Sequence, residues 1–336
     1  MGALKNVFEP GAIAAIFTIG TWINRKRWSC ETGDSHTSLL KDDDSEDGRN
    51  AAENGYGTVE PDRSKPRKTI HLRVLKKFPF LFEIFYWLLI YWVYQGARAV
   101  TARLIDGKES VFQKAEHYAI QLLSLEHRLH IDIELLVQRF VLDKLPWLMD
   151  HLARVYYSHI VIGVVFYVYY YTFMTRSQYQ KYRRTLALEN VIAFIVLSLW
   201  RCAPPRLLPE EYGFIDVLHQ DNSGSAWTHN KFQLTIAAMP SLHFGNSVLI
   251  AFCLLKYSPH VLLRVVAPLW PMVMGLTVVA TANHFILDAV VGVVVIATAY
   301  RLNRVMLVLL PLERVLFRAA RLEKHGENRM GLRSGD

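Results

Sequence analysis

Long apolar runs separated by polar stretches dominate the pattern. Gly11 to Ile23 is apolar and is closed by Arg25, Lys26 and Arg27. The run is short for a membrane span. Its strongest basic cluster follows it and no small-residue cleavage site is clear. It therefore reads as an uncleaved anchor helix over residues 1–24 rather than a signal-peptide core. Residues 25–77 are almost wholly polar, with an acidic run from Asp42 to Asp47 and a basic stretch from Arg63 to Lys77. Such a segment cannot bury enough apolar surface to offset the entropy of ordering, so a disordered loop is expected.

Pro79 to Gln95 is the next apolar segment, rich in Phe, Trp and Tyr, with Glu83 inside it. Between Thr101 and Met149 the pattern changes: Leu122, Leu123, Leu125, Leu129 and Ile131 alternate with Glu126, His127, Arg128 and Asp132. That periodicity predicts amphipathic helix lying along a membrane surface. Further spans are predicted over Val155–Met174, Leu186–Trp200, Met239–Leu255, Val265–Ala282, and from His284 to near Tyr300. The predicted fold is an all-α, polytopic membrane helix bundle. It has about six core transmembrane helices, plus the N-terminal anchor. The bundle domain covers residues 78–310, and a basic tail covers 311–336.

Composition agrees: 52% of the chain is hydrophobic and 12% aromatic, beyond what soluble domains usually carry in long runs. Mean hydropathy is only +0.15 because the polar 25–77 stretch dilutes it. A net charge of +8 would suggest nucleic acid in a soluble protein. Here the basic residues flank the apolar runs, which points to membrane orientation and anionic lipid instead. Lys76, Lys77, Arg176, Lys181, Arg183, Arg184, Lys256, Arg264, Arg301 and Arg304 fall on one side if each span crosses once, and that side is cytoplasmic. The 201–238 loop and the turn at Asn283 then face the lumen or exterior. Cys30, Cys202 and Cys253 have no framework spacing, which argues against disulfide stapling and structural zinc; Cys30 is either a palmitoylation site or a plain thiol.

Three strings carry candidate chemistry. In Ala238-Met239-Pro240-Ser241-Leu242-His243-Phe244-Gly245, a polar loop becomes a helix. Pro240 suits the first helical turn, and the free amides after it, with the Ser241 hydroxyl, form a phosphate cradle. An N-capped helix with an interfacial histidine accounts equally for the string. In Ala282-Asn283-His284-Phe285-Ile286-Leu287-Asp288, His284 and Asp288 share a helix face at four-residue spacing. A carboxylate there can hold one imidazole nitrogen and raise the basicity of the other. The alternative is a polar pair fastening two helices, but charges inside a span are costly and point to function. In Arg201-Cys202-Ala203-Pro204-Pro205-Arg206, two guanidiniums suit bidentate phosphate binding or are ordinary interfacial arginines. A metal site built from two histidines and one aspartate lacks any further carboxylate cluster.

Taken in order, Ala-Pro-Pro-Arg, Met-Pro-Ser-Leu-His and Asn-His-x-x-x-Asp followed by Gly292 resemble the type 2 phosphatidic acid phosphatase superfamily. The closer resemblance is to its inositol phosphorylceramide synthase-like inositolphosphotransferase branch. The layout matches over Pro79 to Tyr300, with the specific motifs between Arg201 and Gly292. The resemblance implies a metal-independent, cofactor-free enzyme. His284 would be the nucleophile, Asp288 would orient it, and His243 would protonate the leaving alkoxide. Arg206, Ser241, Arg201 and Asn283 would hold the phosphate oxygens. It also implies membrane lipids as partners, with a phospholipid donor and ceramide or another lipid alcohol as acceptor, at a luminal site in an endomembrane such as Golgi or ER. Water as acceptor would make the protein a lipid phosphatase. A non-catalytic scaffold or transporter is the third reading, against which His243, His284 and Asp288 all stand intact. The chain departs from the superfamily's phosphatases at Thr277-Val278, where they carry Ser-Arg, and at Leu242, where they carry Gly.

Overall fold

The computed structural model describes residues 2–25, 74–75, 77–218 and 235–319. The loop expected over 25–77 lies almost wholly outside the described residues, as does the end of the basic tail. Every regular element among the described residues is helical. In chain order these are α1 (Gly2–Ile23), α2 (Phe80–Ile105), α3 (Glu109–Leu129), α4 (Glu134–Lys144), α5 (Pro146–Phe173), α6 (Arg176–Leu199), α7 (Leu242–Tyr257), α8 (Val261–Val266), α9 (Leu269–Ala280), α10 (Ile286–Leu302) and α11 (Leu310–Ala319). Short 3-10 turns occupy Pro205–Leu207, Glu210–Tyr212 and Asn303–Leu309. The chain divides into two units, Met1–Phe17 with Trp87–Asp336, and Thr18–Tyr86. All the residues discussed below as a site belong to the first.

Four stretches are long and apolar enough to cross a membrane: Phe80–Ile105, Pro146–Phe173, Val261–Ala280 and Ile286–Glu313. Helix α7 is apolar but has 16 residues. Helix α6 has 24, yet its first half carries Arg176, Lys181, Arg183 and Arg184. Large apolar side chains such as Trp92, Val165, Leu276 and Val294 remain exposed on these helices, as lipid-facing positions require. This is the outer surface of a multi-pass membrane protein.

The elements depart from expectation in instructive ways. The amphipathic stretch expected over Thr101–Met149 is divided among the end of α2, α3, α4 and the start of α5. Left-handed residues, Gly107 (φ 71°) and His130 (φ 57°), break it. Within α3 the expected faces hold only in part: Leu122 is buried and His127 and Arg128 are exposed. Glu126 is fully buried, whereas Leu125 is 46% and Leu129 52% exposed. Helix α5 starts at Pro146, which is free to begin a helix because its missing N–H is not needed there. Helix α6 starts ten residues before Leu186, at Arg176, through a reciprocal cap: Gln178 N–H donates to the Thr175 hydroxyl and Thr175 N–H to the Gln178 side chain.

Aromatic rings join α5 to α6, with Phe166 edge-on to Tyr182 at 5.3 Å and Tyr171 edge-on to Tyr179 at 4.9 Å. Helices α7 and α10 meet backbone to backbone. A Cβ at Gly245 would lie 2.9 Å from the Gly292 carbonyl, and a Cβ at Gly292 would drive into the Ser241 carbonyl. Only glycine permits that approach, and it brings the start of α7 against the start of α10. A second core lies under this junction. It comprises Ala115, Ala119 and Leu122 of α3, Leu197 of α6, the Cys202–Ala203 segment, Ala238 and Phe285.

Candidate active site

Two loop segments are stitched to the helix ends by backbone hydrogen bonds. Ala203 N–H donates to Ala115 C=O, Ala238 N–H to Cys202 C=O, Arg206 N–H to Ala282 C=O, and Ser241 N–H to Asp288 C=O. The end of α6, the start of α7, the end of α9 and the start of α10 are thereby fixed to one another. The turn between α9 and α10 is tight. Ala282 takes φ 51°, a left-handed conformation costly for any residue with a Cβ, and the amides of Asn283 and His284 both return to the Val278 carbonyl.

His284 leaves this turn buried, 6% exposed. Its Nδ1 lies 2.7 Å from the Ala238 carbonyl oxygen, an acceptor only, so Nδ1 carries the proton and donates it. The lone pair of Nε2 is then left for chemistry. Asp288 stands 3.6 Å from the same Nδ1. The carboxylate expected to hold the imidazole is thus displaced from that job by a backbone carbonyl. Asp288 Oδ2 instead accepts the Phe285 amide at 2.9 Å, and the carboxylate acts on the ring through space.

His243, on the first turn of α7, has its ring centroid 5.8 Å from that of His284. Two further rings from α5 pack on it: Tyr156 stacks at 4.3 Å and His159 lies tilted at 4.1 Å. His159 Nδ1 donates to the Tyr156 carbonyl at 2.8 Å. Arg98 of α2 lies near enough to act electrostatically on both His243 and Tyr156. Tyr156, His159 and Arg98 were missed from sequence. The histidine sits inside an aromatic run that reads as lipid-facing, and neither it nor Arg98 forms a local motif.

Arg206 and Asn283 come together. Arg206 Nε donates to Asn283 Oδ1 at 2.9 Å, and Nη1 makes an ion pair with Asp216 at 2.7 Å. Asn283 in turn donates to the Thr281 hydroxyl at 2.8 Å. Arg201 is half-buried after the end of α6, and its Nε has no hydrogen-bond partner. Ser241 is fully buried and caps α7 by accepting the Phe244 amide. Pro240 stands before that cap, not in the first turn, and follows a cis peptide. The Ser241 oxygen thus accepts at the helix start, and its O–H proton remains to be donated. Among the described residues no group of three or more His, Cys, Asp or Glu is arranged to hold a metal ion.

Glu126 and Glu134, unforeseen as well, each accept a backbone amide. The Leu287 amide reaches Glu126 Oε1 at 2.7 Å and the Ile286 amide reaches Glu134 Oε1 at 2.9 Å. The first amides of α10 are therefore occupied by carboxyl groups and are closed to a phosphate.

One end of the helical membrane bundle thus holds two imidazole rings 5.8 Å apart and a buried carboxylate. A family model for the PAP2 superfamily matches residues 120–302, more than half of the chain, and the chain belongs to that superfamily. The match runs from α3 through α10, and includes every candidate site residue except Arg98. No curated protein and no solved structure matches the chain. Superfamily membership places the protein among lipid phosphatases and phosphotransferases.

Proposed function

We propose that the protein moves a phospho-headgroup, of the phosphoinositol type, from a donor phospholipid to a lipid alcohol such as ceramide. The observation that carries this reading is the His284 tautomer: Nδ1–H is held by the Ala238 carbonyl, and Nε2 is free with His243 beside it. Nε2 attacks phosphorus and the bond to the leaving alkoxide breaks, while His243 delivers its proton to that oxygen. The ring now carries positive charge, which Asp288 at 3.6 Å offsets. In the second step His243 takes the acceptor's hydroxyl proton, the acceptor oxygen attacks phosphorus, and the P–N bond breaks. Arg206 and Arg201 offer guanidinium groups for the phosphate oxygens, Arg206 by exchange with Asp216.

Whichever hydroxyl reaches the phosphohistidine sets the product. A lipid alcohol dissolved in the bilayer is concentrated at a site bounded by spans, which favours it over water. The positive-inside asymmetry supports a luminal position for this end of the bundle. The test is product analysis with a labelled phospholipid donor, with and without ceramide or diacylglycerol. A labelled lipid product is expected when the acceptor is present. Free phosphate or phosphoinositol as the sole product under every acceptor would replace the transferase with the hydrolase.

A further inference from the structure

Glu126 and Glu134 stand behind His284, and no step above uses them. They come from α3 and α4, outside the spanning candidates, and both are fully buried. Counting the Phe285 amide on Asp288, three successive amides directly after His284 each end on a carboxyl group. One capping side chain is enough to begin a helix, and buried carboxylates are costly, so three at one helix start demand a reason.

The other oxygens supply it. Glu126 Oε2, Glu134 Oε2 and Asp288 Oδ1 are buried without a partner. Ionised carboxylates only accept, but a protonated one donates. Burial pushes the Glu126 carboxyl up to about 9, the Leu287 amide opposes this, and the charge and side chain of Glu134 add to it. Glu126 therefore favours its protonated form at neutral pH, with the carboxyl of Glu134 as its neighbour. Other titratable groups surround the pair. Asp288 acts on it from α10, and His284 lies in the turn just before that helix. Cys202 faces it from the loop, its thiol pushed up by burial. His127, Asp132 and Glu211, with Arg128, line a cleft of about 530 Å³ on the outer side of Glu134.

We propose that Glu126 and Glu134 are positioning residues for His284: sharing one proton, they clamp the first turn of α10 and keep one negative charge behind the imidazole. The clamp fixes the backbone from which His284 springs. The charge, with that of Asp288, stabilises the ring as it turns cationic on phosphorylation. This rests on the reading of His284 as nucleophile.

The test uses full-length protein in phospholipid nanodiscs. Glu126→Gln, Glu134→Gln and the double variant keep an acceptor oxygen for each amide but change the proton and the charge. Glu126→Gln mimics the protonated acid, and its kcat should stay within about threefold of wild type. The double variant should lose kcat by about tenfold or more with KM unchanged. The ¹⁵N signals of His284, assigned by their loss in His284→Gln, should shift in the double variant. Wild-type kcat with unmoved His284 signals in the double variant would overturn the proposal. A parallel rise in KM, again with unmoved signals, would assign the pair to structure alone. Should the double variant not fold, Glu134→Gln alone, which removes the charge, must still move the His284 signals or the proposal fails. If wild type turns over no phospholipid, the phosphotransfer reading falls, and the spectra still decide whether these glutamates act on His284.

Discussion

At the scale of single residues, the Nδ1 proton of His284 decides how much Asp288 is worth. Where a carboxylate alone sets a histidine tautomer, replacing it by an amide costs on the order of 10⁴ in kcat, because the wrong nitrogen becomes protonated. Here the Ala238 carbonyl sets the tautomer at 2.7 Å, and Asp288 acts from 3.6 Å. Asp288→Asn keeps an oxygen for the Phe285 amide and removes only charge, so a loss of roughly 10²-fold in kcat is expected. His284→Ala should abolish turnover while the folded protein remains in the membrane. Rates of purified variants check both. Normal activity in His284→Ala would exclude it as nucleophile.

Glu126 gives a stability prediction at the same scale. Its carboxyl is raised from 4.5 to about 9 on folding, chiefly by burial. The folded state therefore binds the proton more tightly throughout that window. The stabilisation is full below pH 4.5 and is lost as pH rises towards 9. Wild-type protein in detergent should lose thermal stability with rising pH more steeply than Glu126→Gln, whose amide never ionises. Parallel slopes for the two proteins would show that Glu126 is already ionised at neutral pH.

At the scale of elements, the α7–α10 crossing is the joint that brings the two histidine rings to 5.8 Å of each other. A methyl at Gly292 meets the Ser241 carbonyl, a backbone atom that cannot swing aside. Gly292→Ala should cost about 1–3 kcal/mol or more by overpacking, and depress activity by moving the start of α7. Gly275→Ala meets only the edge of the Phe244 ring at 3.1 Å, and Gly163→Ala meets nothing within 4 Å. Thermal unfolding should rank the three in that order.

Much of this element pattern was legible from runs of apolar residues, and the His284-Asp288 spacing from helical period. The start of α6 was legible too, since Thr175 and Gln178 have capping-box spacing, but the charged turn after them masked it. The inward turn of Glu126 was not. Periodicity marks a polar face without saying which way it looks, and beside a bilayer the apolar face looks out. The Arg206–Asn283 bond joins residues 77 apart in sequence, and the packing of Tyr156 and His159 on His243 joins α5 to α7. No local pattern encodes such pairings, because they depend on how the helices are brought together.

At the scale of the whole molecule, the bundle has two chemically different ends. One carries His243, His284, Arg206 and the three carboxyl groups. The other gathers cations where α6 begins and α10 ends. Lys181 lies 3.7 Å over the Tyr300 ring, Tyr300 hydrogen-bonds Tyr257 at 2.8 Å, and Arg184 reaches Asn303 at 3.2 Å. Lys256 lies in the last turn of α7, Arg301 in the last turn of α10 and Arg304 just after it. Basic residues are retained on the cytoplasmic side during insertion, so the cationic end should face the cytoplasm and the histidines the lumen. Single-cysteine labelling with a membrane-impermeant reagent tests this on sealed vesicles of known sidedness. Cys202 and Cys253 are buried, so a background with Cys30→Ser carries little reactive thiol. Ser334→Cys should label only from the cytoplasmic side, and Glu211→Cys, beside the cleft next to Glu134, only from the lumen. The opposite result at both positions would invert the bundle. The site would then draw on cytoplasmic lipid donors, with the basic cluster on the luminal face where the insertion rule does not put it.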